Sequence, residues 1–191
     1  IKKCQLPVES MSPRQVQRWH DEVEFMKKIQ HPNIVASKPL PDEIIDENSP
    51  LPILCMEYCK RGDLRQLLSR SENCYGIEEK EALKIMKSIA SAVEYLHTLG
   101  ITHRDLKPEN IVLQEGRHGT IYKLMDLGFA KELGNESIAA SVVGTLSYLA
   151  PELLWKPTYS CSVDYWSLGI LFYEIIKGSR PFFPNMPINK T

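Results

Sequence analysis

The sequence predicts an α+β fold of two unequal lobes: a small, partly β lobe over about residues 1–56 and a larger, mainly helical lobe over about residues 57–191. Three observations carry this. One helical pattern and one apolar strand-like run fill the first part of the chain. Two longer helical patterns fill the rest. Between those two lies a pair of short strand patterns joined by a glycine-bearing turn. The chain starts at Ile1, not Met, and residues 181–191 carry prolines and no periodic pattern. The expectation is a domain cut at both ends, with the first strands of the small lobe and the last helices of the large one outside it.

The first helix starts at Ser12-Pro13, with Ser as N-cap and Pro in the first turn, and runs to about Ile29. Trp19, Val23, Met26 and Ile29 share one face. His31-Pro32-Asn33 breaks it. Residues 37–52 hold prolines and the acids Asp42, Glu43, Asp46 and Glu47, which read as a solvated loop, with an acidic docking patch as the alternative. Leu51 to Tyr58 is apolar enough for a buried strand. Gly62-Asp63 opens a short helix. A long one follows from about Glu78 to Leu99, with Leu83, Met86, Ile89, Ala90, Val93 and Leu96 recurring at threes and fours and Gly100 as the stop. Ile111–Leu113 and Ile121–Met125 are short strands around a turn with Gly116 and Gly119. The last helix runs from about Ser162 to Lys177 and ends at Gly178.

Hydrophobic residues make up 43% and charged residues 25%, the balance of a soluble globular protein. A net charge of −1 gives no basis for a nucleic-acid or membrane surface. The five cysteines are odd in number and lack metal-ligand spacing, so they read as free thiols in a reducing cytoplasm or nucleus. No signal segment follows Ile1. The longest apolar run, around Leu168 to Ile176, is too short to span a bilayer.

The chemistry concentrates in His103-Arg104-Asp105-Leu106-Lys107-Pro108-Glu109-Asn110. Phosphoryl transfer to a hydroxyl needs a carboxylate to orient the hydroxyl and take its proton, which Asp105 supplies. Lys107, two residues on in an extended loop, points the same way and reaches the transferred phosphate. Asn110 offers a neutral oxygen to Mg²⁺, a hard cation. The strand Ile111–Leu113 then fixes the loop. The string resembles the catalytic loop of protein kinases without a gap. One hairpin later, Asp126-Leu127-Gly128 stands where that family holds Mg²⁺, with Leu127 in place of the usual Phe. Gly144 to Glu152 resembles the end of a kinase activation segment, with Thr145 at the position that contacts the catalytic Asp in Ser/Thr kinases.

The resemblance implies further roles. Glu152 pairs with Arg180, and Asp164 anchors the backbone of the catalytic loop. Lys2 holds the α- and β-phosphates of ATP with Glu22 as its ion-pair partner. Lys3 and Glu24 are the rivals; Glu22 lies four residues before Met26 on the inward face, whereas Glu24 faces out. Met56 guards the adenine pocket, Glu57 and Cys59 lie at the hinge, and Val112 completes the ATP-binding set with Asp126. A glycine-rich phosphate loop is expected before Ile1, so this stretch alone is expected to be inactive.

Met56–Cys59, Gly62–Arg65, Glu72–Cys74, Asn110–Gln114, Ala130–Leu133, Val163–Trp166 and Arg18-Trp19 together resemble the alpha/beta branch of the inhibitor-of-κB kinases. Ser137 and Ser141 match that family's paired-serine switch. Ala139, Ala140, Ser147 and Trp155 depart from the vertebrate pattern, which fits an invertebrate relative. The resemblance implies ATP and Mg²⁺ as cofactors and serines of inhibitor-of-κB-type proteins as substrate, in NF-κB signalling and innate immunity. It also implies a kinase dimer and a regulatory scaffold bound through regions outside this chain, and an upstream activating kinase. Phosphates on Ser137 and Ser141 would pair with Arg104 and Lys131 and order the segment. A Ser/Thr kinase with another protein substrate, and a pseudokinase scaffold, are the alternatives.

Overall fold

The structure, a computed structural model, describes residues 1–2, 11–44, 51–127, 146–154 and 160–182. Helix α1 spans Pro13–Lys28. Ser12 caps it: its hydroxyl accepts from the Gln15 amide while the Gln15 side chain takes the Ser12 amide at 2.7 Å, a reciprocal box. Trp19, Val23, Met26 and Ile29 are all buried, as their spacing predicts. The Trp19 indole donates to the Pro52 carbonyl at 2.7 Å and so fastens α1 to the segment after it.

That segment differs from expectation. Leu51–Tyr58 is not a regular strand among the described residues. It makes single antiparallel bridges, Lys2 with Leu54 and Ser37 with Met56. The Lys2–Leu54 bridge is one closely spaced pair, with amide-to-carbonyl distances of 2.8 and 3.0 Å. A ladder needs consecutive pairs, and each partner here supplies one.

Helix α2, Leu64–Leu68, is capped by Asp63, whose carboxylate accepts from the Gln66 amide at 2.9 Å. Helix α3, Glu79–Thr98, buries Ala82, Ile85, Ile89, Ala92, Val93 and Leu96. The expected face was turned by part of a helical turn: Leu83 is 46% exposed and Ala90 is exposed. The buried face takes in Ile85 and the small residues Ala82 and Ala92, which let neighbouring elements approach closely. Strands β1 (Ile111–Gly116) and β2 (Gly119–Leu124) pair antiparallel, Ile111 opposite Leu124. Each strand is longer than its apolar residues announce.

Helix α4, Ser162–Lys177, ends at Gly178 in the left-handed conformation, as the sequence predicts. Its C-terminal end meets the loop before α3. Ile77 donates to the Ile175 carbonyl at 2.8 Å, and a Cβ at Gly76 would lie 2.0 Å from the Ile176 carbonyl oxygen. Only glycine permits that approach. One continuous apolar cluster joins α1, α3, the hairpin and α4, from Trp19 to Ile175. The loop after α1 is fixed to this core. His31 stacks on Tyr95 at 5.1 Å and accepts the Asn33 amide on Nδ1, and Asn33 donates to the Tyr122 carbonyl at 2.9 Å. No helix among the described residues is long and apolar enough to cross a membrane.

Candidate active site

The loop from His103 to Asn110 is held from beneath by Asp164, in the first turn of α4. This carboxylate is fully buried, and it accepts the His103 and Arg104 amides on its two oxygens, each at 2.8 Å. The charge is affordable only because these donors, with His97 Nε2 at 2.8 Å, surround it. Arg104 takes a φ of 68°, a left-handed conformation that costs a non-glycine residue about 1 kcal/mol and marks a turn forced by its surroundings. His103 has no exposed surface. Its Nδ1 accepts the Asp105 amide at 3.2 Å, which leaves Nε2 as the donor to the Met125 carbonyl. Burial pushes its pKa down against the pull of Asp164.

Asp105 is 4% exposed. Lys107 Nζ lies 3.0 and 2.9 Å from its two oxygens, and Asn110 Nδ2 donates to its Oδ2 at 2.8 Å and to its backbone carbonyl at 2.7 Å. The Met125 amide donates to the Asn110 carbonyl at 2.9 Å, so Asp126, the next residue, is tied to the loop. Asp126 has a φ of 59°, a second left-handed site residue. Lys2 bridges the rest. Its ammonium is 2.8 Å from Glu22 and 3.0 Å from Asp126. Burial alone would lower the Lys2 pKa, but Asp126 and Glu22 outweigh it and hold it above the ordinary value. Glu22 is 2% exposed and faces in, while Glu24 is exposed and pairs with Lys27. Helix geometry thus separates the inward Glu22 from the outward Glu24. Lys2, Glu22, Met56, Asp126 and Leu127 line one cavity of about 330 Å³. Leu127 is buried, keeping the apolar packing expected of it.

These carboxylates, amide and ammonium converge from α1, the loop after α3 and the end of β2. The profile of the protein kinase domain matches residues 1–190. The chain belongs to the protein kinase domain family. This kinase domain is 50% identical over 187 residues to the inhibitor of nuclear factor kappa-B kinase subunit beta of Bos taurus. It is 50% identical over 186 residues to the Mus musculus subunit beta and 48% identical over 186 residues to the Xenopus tropicalis subunit alpha. Each match covers 97% of this chain but only 24 or 25% of the relative, so the chain spans about a quarter of their length.

The kinase domain departs from its sequence expectation at Glu152. Arg180 donates to the Ser147 hydroxyl, and no ion pair joins it to Glu152 among the described residues. Glu57, Cys59 and Val112 do not line the cavity that Met56 lines. The Glu57 side chain turns instead to the Ala36 amide at 2.8 Å and to Lys123 at 2.5 Å. Burial would raise its pKa, but Lys123 and the Ala36 amide hold it low. Burial and the Glu57 charge push the Cys59 thiol up. Thr145, Ser137, Ser141 and Lys131 lie outside the described residues.

Sequence reasoning missed a second polar cluster. Arg65 meets Glu109 at 2.8 Å, Glu174 at 2.7 Å and the Tyr148 hydroxyl, and Tyr148 donates to Glu174. A signal existed: Glu174 sits inside an apolar helix, and a carboxylate there requires a buried cation.

Proposed function

We propose that this kinase domain transfers the γ-phosphate of ATP to serines of inhibitor-of-κB-type proteins, upstream of NF-κB. The observation that carries the reading is Lys2 set between Glu22 and Asp126 over a cavity, with Asp105 clasped by Lys107 and Asn110. A pseudokinase scaffold has no use for this full set. In the proposal, Asp105 orients the serine hydroxyl and accepts its proton, Lys107 neutralises the moving phosphoryl group, and Lys2 holds the α- and β-phosphates. The donor set also fits magnesium. Asn110 spends its amide nitrogen on Asp105, so a hard cation would meet its carbonyl oxygen, with the Asp126 carboxylate as the second ligand. Bound there, Mg²⁺ would offset phosphate charge.

Adenine would lie beside Met56, with Glu57, Cys59 and Val112 at the crossing between a small lobe to about residue 56 and a large one after it. Asp164 anchors the loop, Thr145 would meet Asp105, and Arg180 has its structural part through Ser147. An upstream kinase would phosphorylate Ser137 and Ser141, opposite Arg104 and Lys131. Both relatives are named as subunits, which supports an assembly; the reading takes this as a dimer with a regulatory scaffold in a cytoplasmic setting. The test uses the full-length protein, ATP and a two-serine inhibitor-of-κB peptide. Asp105→Ala should abolish phosphorylation. A folded Asp105→Ala protein with more than about one-tenth of the kcat overturns the catalytic assignment. Equal use of a peptide lacking the serine pair overturns the substrate.

A further inference from the structure

We propose that Arg65 is a positioning residue that couples Tyr148, in the turn Leu146–Tyr148, to the catalytic loop at Glu109. The guanidinium is a rigid fork, and here every nitrogen is used. Nε donates to Glu109 Oε1 at 2.8 Å, Nη1 to Glu174 Oε1 at 2.7 Å, and Nη2 to the Tyr148 hydroxyl and, at 3.4 Å, to Glu174 Oε2. The two ends of the fork reach different machinery. Glu109 lies in the turn Pro108–Asn110, whose Asn110 clasps Asp105. Tyr148 is fixed twice, by its hydroxyl to Glu174 and by its carbonyl to the Ser167 hydroxyl at 2.8 Å.

Glu174 gives the arrangement its stiffness. Its side chain is 6% exposed on an apolar helix, so it cannot lose Arg65 without a stranded buried charge. Arg65 itself is 15% exposed. Burial would weaken its charge, but Glu174 holds it fully protonated, and burial keeps Tyr148 a phenol donor. A shift of the 146–148 turn must therefore move the guanidinium, and with it Glu109. By the resemblance, this turn lies within the stretch Gly144–Glu152 that closes the activation segment, so the state of that segment reaches Asp105 along this route.

The kinetic consequence rests on the phosphoryl-transfer reading; the structural one does not. In full-length protein, Tyr148→Phe and Glu109→Gln should each lower peptide kcat/KM, leaving the KM for ATP within about twofold. Together they should cost less than the product of the single losses by about fivefold, since both break one linkage. Arg65→Lys should keep part of the activity that Arg65→Met loses. The second readout is amide hydrogen exchange over residues 105–110. Tyr148→Phe should speed it in the presence of Arg65 and leave it unchanged in the Arg65→Met/Glu174→Gln background, where no charge is stranded. Multiplicative losses, or unaltered exchange over 105–110 in Tyr148→Phe, overturn the coupling. A wild-type protein without phosphoryl transfer overturns the proposed function instead, and the exchange arm still decides the role of Arg65.

Discussion

His97 Nε2 and Asp164 Oδ2 meet at 2.8 Å, joining the last turn of α3 to the first turn of α4 directly beneath the catalytic loop. Asp164→Asn tests how much the loop depends on this anchor. An amide cannot accept from both the His103 and Arg104 N–H groups, because its nitrogen would face one of them. Stability should fall by about 1–3 kcal/mol, the cost of a stranded buried donor. The kcat should fall by about 100-fold as Asp105 shifts. Urea unfolding and peptide kinetics check both, and a variant with wild-type kcat would mean that the loop stands without Asp164.

The Lys2–Glu22 pair should respond unequally to its two truncations. Lys2→Met leaves Glu22 charged and buried, with an Oε2 that has no hydrogen-bond partner among the described residues. The expected destabilisation is about 3 kcal/mol. Glu22→Gln leaves Lys2 on Asp126, so the fold should hold while the KM for ATP rises. Equal destabilisation by both, seen in denaturant midpoints, would contradict the asymmetry.

Low pH should destabilise the fold through two histidines. Burial lowers the pKa of both His31 and His103 below the ordinary 6.5. The unfolded chain then binds more protons than the folded one below about pH 6.5. The contribution of these groups is complete above that pH and is lost as pH falls toward the folded values, at up to about 1.4 kcal/mol per pH unit per group. His31→Asn keeps an acceptor for the Asn33 amide and should flatten the slope of unfolding free energy between pH 6.5 and 5. An unchanged slope would remove His31 from the account.

Gly76→Ala and Gly100→Ala separate crowding from conformation. Both glycines have positive φ, 109° and 73°. At Gly100 nothing lies within 4 Å of an added Cβ, whereas at Gly76 the Ile176 carbonyl oxygen is 2.0 Å away. Gly100→Ala should cost about 1 kcal/mol. Gly76→Ala should cost more than about 3 kcal/mol, because the α4 terminus must move. Similar melting temperatures for the two would refute this.

Replacing Ser137 and Ser141 by Ala in the full-length kinase should keep basal activity low and remove stimulation by an upstream kinase. Glu at both positions should restore it in part, since a carboxylate carries less charge than a phosphate. Full activation of the double Ala variant, measured on the two-serine peptide, would place the switch elsewhere.

Much of this was legible in the residues. The 3.6-residue period put Glu22 inside and Glu24 outside, and the Ser12 and Gly178 caps marked their helix ends. The loop from His103 to Asn110 announced its chemistry because its spacing admits few other uses. What escaped depended on distant partners. The buried face of α3 takes in Ile85, Ala82 and Ala92 and leaves Leu83 exposed, a rotation that only the packing neighbours decide. Arg180 meets Ser147, 33 residues away and on the other side of α4 in the chain. Arg65 draws together residues up to 109 positions apart, and no local pattern reports that.

Glu57 gathers three separate segments of the chain at one carboxylate. A single carboxylate oxygen, Oε1, takes the Ala36 amide on one side and the Lys123 ammonium on the other. The Glu57 amide donates back to the Ala36 carbonyl at 2.9 Å, and Leu124 exchanges backbone hydrogen bonds with Asn33 and Val35, so these segments are bound along their backbones as well. Opening the cleft to exchange nucleotide would then leave this junction in place. The gap would widen least beside Met56 and most at the far edge, where Lys2 must part from Asp126. Adenine would be the last part of the nucleotide to be released and the phosphates the first.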